Sequence, residues 1–512
     1  MNRFLKNVLS NWTGMAVSMV LAFFMSPFLV RTLGDRHYGL WVLILSVTGY
    51  MGLLDVGLRV SVVKYVSQLF TLKDFEGLNR VVSTALAFYA SVAVVIMAIT
   101  LGLEAFFPRV FTLPPEDVPT ARLVLLLAGA NVALTLITSI PSGVLAGLQR
   151  YDRSAAVGIF TILLRSVFIV AFVATGFGIV SLAIIHLFSQ MLFAVLAWRA
   201  AQRECPSLRL DRHLASVATA RTLWSYSAFV LVNNAGRFLL FSSGEIVVGL
   251  FLGTVAVTYY AISGTIAQYM QQIVITMAQV LHPHAAAQQA KGSTAALKNT
   301  AIVGTKLSLL VGLPITVTVA VVGERFISLW MGPKYGVVAG PLMILLTTAR
   351  LVNLSQAGSY EVLLGMSRHR VPTTLTLIAG ILGVALAALL AKPYGLTGVV
   401  VGGALPILVF HGLVQPWYTM RVLDIDAHTY LTRSVLPPVI AGIPYAIVLS
   451  LLAYVFPPAS LVTLAVLVAA SLSVFGLAAL FLCFGADERR ALTSSLRRRP
   501  AQQPAVETSG IS

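Results

Sequence analysis

Residues 33–51, LGDRHYGLWVLILSVTGYM, carry the pattern that decides the fold. A Leu-Gly pair opens this stretch, an uncharged apolar run follows from Tyr38, and Tyr50-Met51 closes it. Residues 252–270, LGTVAVTYYAISGTIAQYM, repeat the same frame 219 positions later. Further matches keep nearly the same spacing: Glu104 with Glu324, residues 144–147 with 362–365, and Gly178 with Gly395. The sequence therefore predicts that a block of six apolar helices occurs twice.

The composition indicates a polytopic membrane protein. Of the 512 residues, 58% are hydrophobic and only 10% are charged, and the mean hydropathy is +0.89. Soluble domains carry about 25% charged residues, so a chain of soluble domains is excluded. Cys205 and Cys483 belong to no CxxC motif or Cys/His cluster. The sequence therefore gives no basis for a disulfide scaffold or a metal site.

Fourteen apolar segments are predicted to be membrane helices, because a bilayer core of about 30 Å needs about 20 apolar residues. They are residues 10–32, 38–60, 82–103, 119–147, 155–175, 178–199, 224–251, 255–281, 300–323, 338–365, 371–391, 395–420, 434–456 and 459–484. Short turns at residues 176–178 and 457–458 are predicted to separate helix five from six and helix thirteen from fourteen.

The basic residues predict the topology. With the N-terminus in the cytoplasm, 23 Lys and Arg residues fall in the inside segments and six in the outside segments. That asymmetry is what the positive-inside rule requires. The net charge of +17 follows from topology and from attraction to anionic membrane lipids. No nucleic-acid partner is therefore expected, and both termini are expected to be cytoplasmic.

The predicted architecture is an all-α polytopic membrane protein with two parallel six-helix lobes plus two C-terminal helices. The N-lobe covers residues 1–199, a cytoplasmic linker 200–223, and the C-lobe 224–420. The two added helices cover residues 421–485, and residues 486–512 are expected to form a disordered cytoplasmic tail. Because six is an even number, the two lobes share one orientation, which is the parallel-repeat arrangement of some transporters.

Charged residues inside the predicted helices indicate the candidate site. Arg165, Arg237 and Arg350 lie near the middle of helices five, seven and ten, where each costs about 2.5 to 3.5 kcal/mol on the insertion scale. They are expected to face the protein interior, and two interpretations remain open: an anion-attracting cavity or internal packing bridges. Tyr50 and Tyr269 occupy equivalent repeat positions and are candidates to line a cavity.

Four further embedded residues are candidates for coupling or gating: Asp55, Arg59, Glu245 and Glu361. Asp55 and Arg59 are four residues apart on one predicted helix, so a local ion pair and an independent role are both open. Glu245 lies eight residues after Arg237, about 12 Å along a continuous helix. Lys306, near a helix end, is expected to extend to the lipid headgroups.

The N-terminal part of the chain resembles the polysaccharide biosynthesis proteins, the Wzx-type flippases of the multidrug/oligosaccharidyl-lipid/polysaccharide (MOP) exporter superfamily. The resemblance rests on residues 5–7 (LKN), Pro27, residues 33–41 (LGDRHYGLW), residues 53–58 (LLDVGL) and residues 147–151 (GLQRY). It implies two six-helix lobes around a central cavity that helices one, two, seven and eight face. It also implies that Arg237 and Tyr50 face this cavity and that Asp55 lies near its cytoplasmic mouth.

The function implied by the resemblance is transfer of a polyprenyl-pyrophosphate-linked oligosaccharide to the external leaflet of a bacterial inner membrane. Helix one has no charge between Lys6 and Arg31, unlike flippases for the peptidoglycan precursor. This difference favours capsule, exopolysaccharide or O-antigen precursors. A polysaccharide polymerase and co-polymerase fit as protein partners, and proton or sodium coupling stays open.

Three other functions remain as alternatives. A cation-coupled multidrug antiporter of the same superfamily predicts an acid-rich lumen and commonly twelve helices. A membrane enzyme of polysaccharide assembly predicts a large external loop or a paired catalytic constellation, and a structural assembly protein predicts no central arginines. The sequence has no Walker loop, Gly-rich dinucleotide turn, HExxH or GxSxG motif. We therefore expect a secondary transporter without a cofactor, and not an enzyme.

The charge asymmetry makes the topology testable. We predict that reporter fusions at Gly176 and Pro457 report an external location, and that fusions at Arg212 and Gln289 report a cytoplasmic one. Paired alkaline phosphatase and green fluorescent protein fusions measure both outcomes. The opposite pattern at any two of these sites would rule out the fourteen-helix topology.

Overall fold

The computed structural model describes residues 3–55, 57–225, 228–485 and 489, and every regular element in this part of the chain is a helix. The α-helices are α1 (Arg3–Gly49), α2 (Leu58–Thr71), α3 (Phe75–Val110), α4 (Val118–Gly147), α5 (Tyr151–Ala174), α6 (Gly178–Glu204), α7 (Val217–Ser225), α8 (Ala228–Ser242), α9 (Gly244–Leu252), α10 (Thr254–Ala278), α11 (Leu281–Ala290), α12 (Thr294–Trp330), α13 (Pro333–Ser355), α14 (Ala357–Gly365), α15 (Arg370–Val409), α16 (Gln415–Leu423), α17 (Ala427–Tyr430), α18 (Leu436–Val455) and α19 (Leu461–Leu482). Short 3-10 turns cover Tyr50–Leu54, Pro115–Asp117 and Arg212–Leu214, and π-helical turns cover Phe410–Val414 and Leu431–Val435. The predicted tail lies almost wholly outside the described residues.

The described residues contain ten helices that are long and apolar enough to cross a membrane, or eleven if the bent pair at residues 231–252 is one span. The two longest helices, α1 and α15, each reach into a second predicted span. The 47 residues of α1 and the 40 of α15 would extend about 70 Å and 60 Å if straight, against a core of about 30 Å. Each covers one whole predicted span and about the first half of the next, and α10 supplies one more. The fourteen predicted spans therefore fit the helices.

Both long helices change direction at a glycine. Gly34 interrupts α1 with φ 76° and ψ 165°, and Gly395 interrupts α15 with φ 58° and ψ −142°. Residues with a side chain rarely adopt such conformations, because the Cβ atom collides with the backbone. The glycine of the Leu33-Gly34 pair therefore fixes where helix one ends and helix two begins.

Left-handed backbone positions recur in both halves of the chain. Five residues of the first half have a positive φ at positions whose repeat equivalents, 217 to 220 residues later, also have a positive φ. The pairs are Gly34 with Gly253, Lys73 with Gly292, Thr112 with Gly332, Gln149 with Ser367, and Gly178 with Gly395. This agreement of local conformation supports the internal duplication predicted from the sequence.

The short turns predicted at residues 176–178 and 457–458 do separate helices. α5 ends at Ala174 and α6 begins at Gly178, with Gly176 at φ 89° between them. α18 ends at Val455 and α19 begins at Leu461. Ser460 caps α19, because its side chain accepts from the Thr463 amide and the Thr463 hydroxyl accepts from the Ser460 amide.

Three predicted spans are not continuous helices. The second predicted span, residues 38–60, ends as a helix in a 3-10 turn at Leu54. Gly57, with φ 75°, separates this turn from the next helix, α2. Helix seven breaks at Ser243 with a bend of 45°, and helix ten breaks at Gln356. Each break lies at a short polar interruption, namely Asp55, Ser242-Ser243-Gly244 and Ser355-Gln356, but such interruptions also occur in continuous membrane helices.

The described chain divides into two compact units. Unit 1 contains residues 1–272, 324–353 and 367–416, and unit 2 contains residues 273–323, 354–366 and 417–512. The boundaries of the N-lobe and C-lobe given by the sequence stay a prediction. In unit 1 the apolar core around Leu40, Leu43 and Ile44 packs residues of α1 against residues of α4, α6, α9 and α15. This packing brings both sequence halves into one unit.

Polar contacts reinforce unit 1 at the segment that follows Gly34. The Asp35 carboxylate accepts from Tyr335 Oη and from Lys334 Nζ at 2.9 Å, and its backbone oxygen accepts from Thr258 Oγ1 at 2.6 Å. Arg36 lies 2.6 Å from a carboxylate oxygen of Asp117. This short segment is therefore bonded both to the first half of the chain and to the second.

Unit 2 is fixed by a buried lysine and by a close helix contact. Lys306 on α12 is only 8% exposed, and its Nζ donates to the Cys483 carbonyl oxygen at 2.6 Å, at the C-terminal end of α19. A cation at this end is stabilised by the helix dipole. Lys306, predicted to extend to the lipid headgroups, is therefore buried and bonded to the end of a neighbouring helix. Gly304 of α12 and Gly358 of α14 meet backbone to backbone.

The contact between Gly304 and Gly358 yields a stability prediction. A Cβ at position 358 would lie 2.6 Å from the Gly304 carbonyl oxygen, so α12 and α14 must separate. We expect Gly358→Ala to destabilise the protein by about 1 to 3 kcal/mol. Thermal unfolding in detergent measures this change. Gly476→Ala in α19 is the matched control, because a Cβ there meets open space, and equal melting temperatures for the two variants would contradict the prediction.

Candidate functional site

The break between α8 and α9 shapes the candidate site. Ser243 bonds back to the Leu239 carbonyl at 2.8 Å, and Tyr260 of α10 packs so closely on Gly244 that a Cβ there would overlap the phenol ring. Ser-Gly pairs are a common cause of helix bends. The break places Glu245 in the first turn of α9, where the helix dipole stabilises a carboxylate. The sequence-based estimate of 12 Å from Arg237 assumed a straight helix and therefore does not apply.

Arg350 of α13 is the most deeply buried arginine of the candidate set, at 9% exposure. Its Nη1 donates to the Oε1 atom of Gln271 on α10. Its Cζ lies 3.9 Å from the centroid of the Phe241 ring on α8, which is cation–π contact. An amide and an aromatic face, both uncharged, therefore hold this guanidinium.

The charges around Arg350 leave a basic excess. Glu245, only 7% exposed, and the half-buried Arg237 both interact electrostatically with Arg350, as does Tyr260. Among the described residues, Glu245 and Arg350 form no direct salt bridge, and Glu245 Oε2 is buried without a hydrogen-bond partner. Two arginines and one glutamate give this group a formal charge of +1. We call Arg237, Phe241, Glu245, Tyr260, Gln271 and Arg350 the arginine cluster.

Tyr50 borders the arginine cluster, and its repeat partner has a different neighbour. Tyr50 Oη bonds to Ser243 Oγ at the helix break, and the Tyr50 ring lies 5.4 Å from the Phe238 ring between centroids. Tyr50 also interacts electrostatically with Glu245. Tyr269 instead lies close to Tyr38 on α1. Equivalent positions in the repeat therefore do not share one environment.

Asp55 is bound by a residue that the sequence did not indicate. Its carboxylate accepts a hydrogen bond from the Tyr89 hydroxyl on α3, while Arg59 contributes only through longer-range charge. A local pair of Asp55 with Arg59, one of the two interpretations left open by the sequence, needs one continuous helix, but the left-handed Gly57 breaks the helix between the two residues. Arg59 is exposed, so Tyr89 is the direct partner of Asp55.

Two other predicted residues lie in different surroundings. Arg165 on α5 is half-buried beside His186 of α6, whose ring is 5.2 Å from the Trp41 ring between centroids. Glu361 belongs to unit 2, where its Oε2 lies 3.7 Å from His282 Nδ1. Neither takes part in the arginine cluster as far as the described contacts go.

Several contributors to the site have weak sequence signals. Gln271 is one of four glutamines in predicted helix eight, and Ser242-Ser243-Gly244 is a short polar run inside predicted helix seven. Each could have been selected as a polar interruption of a membrane helix. Phe241 and Tyr89 give no such signal, because aromatic residues are common in apolar spans. In the described residues no group of His, Cys, Asp and Glu is arranged to hold a metal.

Comparison with known families decides the relationship. A model of the family described as "Polysaccharide biosynthesis protein" matches residues 28–339. The chain belongs to this family. It is 23% identical over 445 residues to the membrane protein EpsK of Bacillus subtilis, covering 86% of this chain and 88% of EpsK. It is 22% identical over 398 residues to the membrane protein MJ1068 of Methanocaldococcus jannaschii, covering 76% and 77%.

Solved structures of MOP superfamily transporters share the fold. An inward-facing multidrug resistance MATE transporter superimposes with a TM-score of 0.66 at 16% identity, covering 80% of this chain and 96% of that one. The outward-facing form gives 0.61 at 17% identity, covering 83% and 96%. A Pyrococcus furiosus MOP transporter gives 0.60 at 15% identity, covering 82% and 95%. The chain is thus a multi-pass membrane protein with a MATE-like fold.

The hydrogen bond between Asp55 and Tyr89 gives a testable coupling. We expect a double-mutant cycle of Tyr89→Phe with Asp55→Asn to give a coupling free energy of about 1 to 3 kcal/mol, because the acceptor is charged and half-buried. The cycle of Asp55→Asn with Arg59→Gln should give less than about 1 kcal/mol, as for exposed ion pairs. Denaturant unfolding in detergent measures both cycles. A larger value for the Arg59 cycle would restore the local ion pair.

Proposed function

We propose that this protein is a flippase that moves a polyprenyl-pyrophosphate-linked oligosaccharide across the bacterial inner membrane for exopolysaccharide, capsule or O-antigen assembly. Family membership and the transporter fold support a membrane exporter. The glycolipid substrate, alternating access through a cationic cavity, and the cytoplasmic location of both termini are the proposed refinements. The charge asymmetry of the loops supports the proposed orientation.

The observation that carries this proposal is the basic excess of the arginine cluster. Arg237 and Arg350 lie among membrane helices with Glu245 as the acid of the group. A diphosphate is prohibitively costly to move through a low-dielectric core unless its charge is compensated. Guanidinium groups suit this task, because their planar donor sets match phosphate oxygens in bidentate fashion. The prenyl chain of the same substrate stays in lipid.

The polarity of the cluster argues against the multidrug alternative. A cation antiporter needs acidic groups to bind a positively charged drug, whereas this cluster carries a formal charge of +1. The Pyrococcus furiosus structure is described as having a binding pocket of reverse polarity that suggests a different function. We propose that polarity likewise separates this chain from multidrug relatives of the same fold.

Coupling and partners complete the proposal. Asp55, Glu245 and Glu361 are the proposed groups for proton or sodium coupling, and Arg59 for gating. Glu245 is the strongest of the acids, because it is buried, lies beside Arg350 and has an oxygen without a hydrogen-bond partner. A polysaccharide polymerase and co-polymerase are the proposed consumers of the flipped glycolipid, since a translocated oligosaccharide unit must be polymerised outside.

Arg237 provides the test of the proposed function. We expect Arg237→Ala to reduce glycolipid translocation per molecule of inserted protein by roughly tenfold or more, as for loss of hydrogen bonds to a charged group. Arg237→Lys should recover only part, because ammonium keeps the charge but loses the bidentate fork. Translocation is measured in a strain lacking its own flippase, normalised to membrane abundance.

Arg122→Ala is the matched control for this test. Arg122 is half-exposed and pairs with Glu104 at 3.2 Å, so its loss should leave translocation per molecule unchanged. If Arg237 were only a structural bridge, alanine would lower abundance instead, because a stranded buried charge costs about 3 to 5 kcal/mol. Wild-type translocation by Arg237→Ala would remove the main support for a cationic cavity.

A further inference from the structure

The residue that holds Arg350 is an amide in a place where a carboxylate would ordinarily be favoured. Arg350 is almost fully buried, and its Nη1 donates to Gln271 Oε1. A buried guanidinium usually pairs with Asp or Glu, because an unpaired buried charge is strongly destabilising. Gln271 offers the same acceptor geometry without the negative charge. The hydrogen bond is therefore kept while the positive charge is not cancelled.

The other contacts of Arg350 have the same character. Phe241 covers one face of the guanidinium with its ring, 3.9 Å from Cζ. Glu245 acts on Arg350 through longer-range charge and forms no direct salt bridge with it in the described residues. A guanidinium has five N–H donors, of which the bond to Gln271 uses one. A positive charge in a fixed geometry thus remains for a ligand.

We propose that Gln271 is a specificity-determining residue that positions Arg350 for an anionic ligand while keeping the site positively charged. This inference rests on the proposed function, since it assigns the charge preference of the same site. The ligand chemistry is a diphosphate that is esterified to a prenyl chain at one end and to a sugar at the other, and a prenyl diphosphate presents the same anionic group. A carboxylate at position 271 would complete a salt bridge with Arg350 and cancel the charge that the diphosphate needs.

A purely structural role for Gln271 makes the opposite prediction. If the bond to Arg350 served stability alone, Gln271→Glu would be harmless or beneficial, because a charged acceptor strengthens the bond. Gln271→Met, which keeps the approximate volume but removes the acceptor, would then be the most harmful change. The two roles therefore disagree on which substitution is the more harmful: Gln271→Glu if the residue sets the charge of the site, and Gln271→Met if it only stabilises the fold.

The experiment uses the purified full-length protein in nanodiscs, with farnesyl diphosphate as the probe and farnesol as the uncharged comparison. Binding is measured by microscale thermophoresis and folding by the melting temperature, for wild type, Gln271→Met and Gln271→Glu. Gln272→Glu is the matched control, because it adds the same carboxylate one residue along the same helix at an exposed side chain. Arg350→Gln is measured in parallel.

We expect farnesyl diphosphate to bind in the order wild type, Gln271→Met, Gln271→Glu, with the glutamate variant weaker by about tenfold or more. Gln271→Glu should melt no lower than wild type, Gln272→Glu should bind as wild type does, and farnesol binding should not follow this order. Tight binding by Gln271→Glu, or a lowered melting temperature for it, overturns the inference.

The outcomes also distinguish this inference from the proposed function. If Arg350→Gln abolishes binding while Gln271→Glu binds normally, the anion site stands and the role of Gln271 is lost. If Arg350→Gln and Gln271→Glu both bind as wild type does, the cationic site itself is wrong, and the proposed function falls with the inference.

Discussion

Burial of a guanidinium among apolar helices is the constraint on which the candidate site depends. Arg350 has lost its water, so each of its contacts must compensate for the desolvation of a full charge. The protein meets this demand with an amide from α10, an aromatic face from α8 and a nearby carboxylate at the start of α9. Helices α8, α9 and α10 must therefore be placed so that all three groups reach Arg350. The break at Ser243 bends α9, and with it Glu245, by 45° away from the axis of α8.

Much of the fold could be predicted from the sequence, because a bilayer imposes a length and a composition on every span. The glycine turns at Gly34 and Gly395 and the separation of α5 from α6 follow from apolar runs and their interruptions. The breaks at Gly57, Ser243 and Gln356 were not predicted, because the short polar interruptions that mark them also occur in continuous membrane helices. They depend on tertiary contacts, such as that of Tyr260 with Gly244, which a local pattern does not contain.

The candidate site was predictable in part for the same reason. Embedded charges such as Arg237, Glu245 and Arg350 are detectable, since each is costly in its span. Their neutral partners are not, because a glutamine or a phenylalanine costs little and occurs widely. Asp55 illustrates this: the sequence offered only Arg59, four residues away, as a local partner, whereas the direct partner is a tyrosine 34 residues away.

The five paired left-handed positions also record how the two halves diverged after duplication. Between consecutive pairs the offset changes by no more than two residues, from 219 to 220, 218 and 217. Net insertions and deletions have therefore been nearly absent over some 150 residues, while most side chains were replaced. A membrane helix tolerates substitution within its apolar class, but a changed length would displace its ends from the bilayer surfaces. The two halves have therefore kept the number of residues between their turns more closely than the identity of those residues.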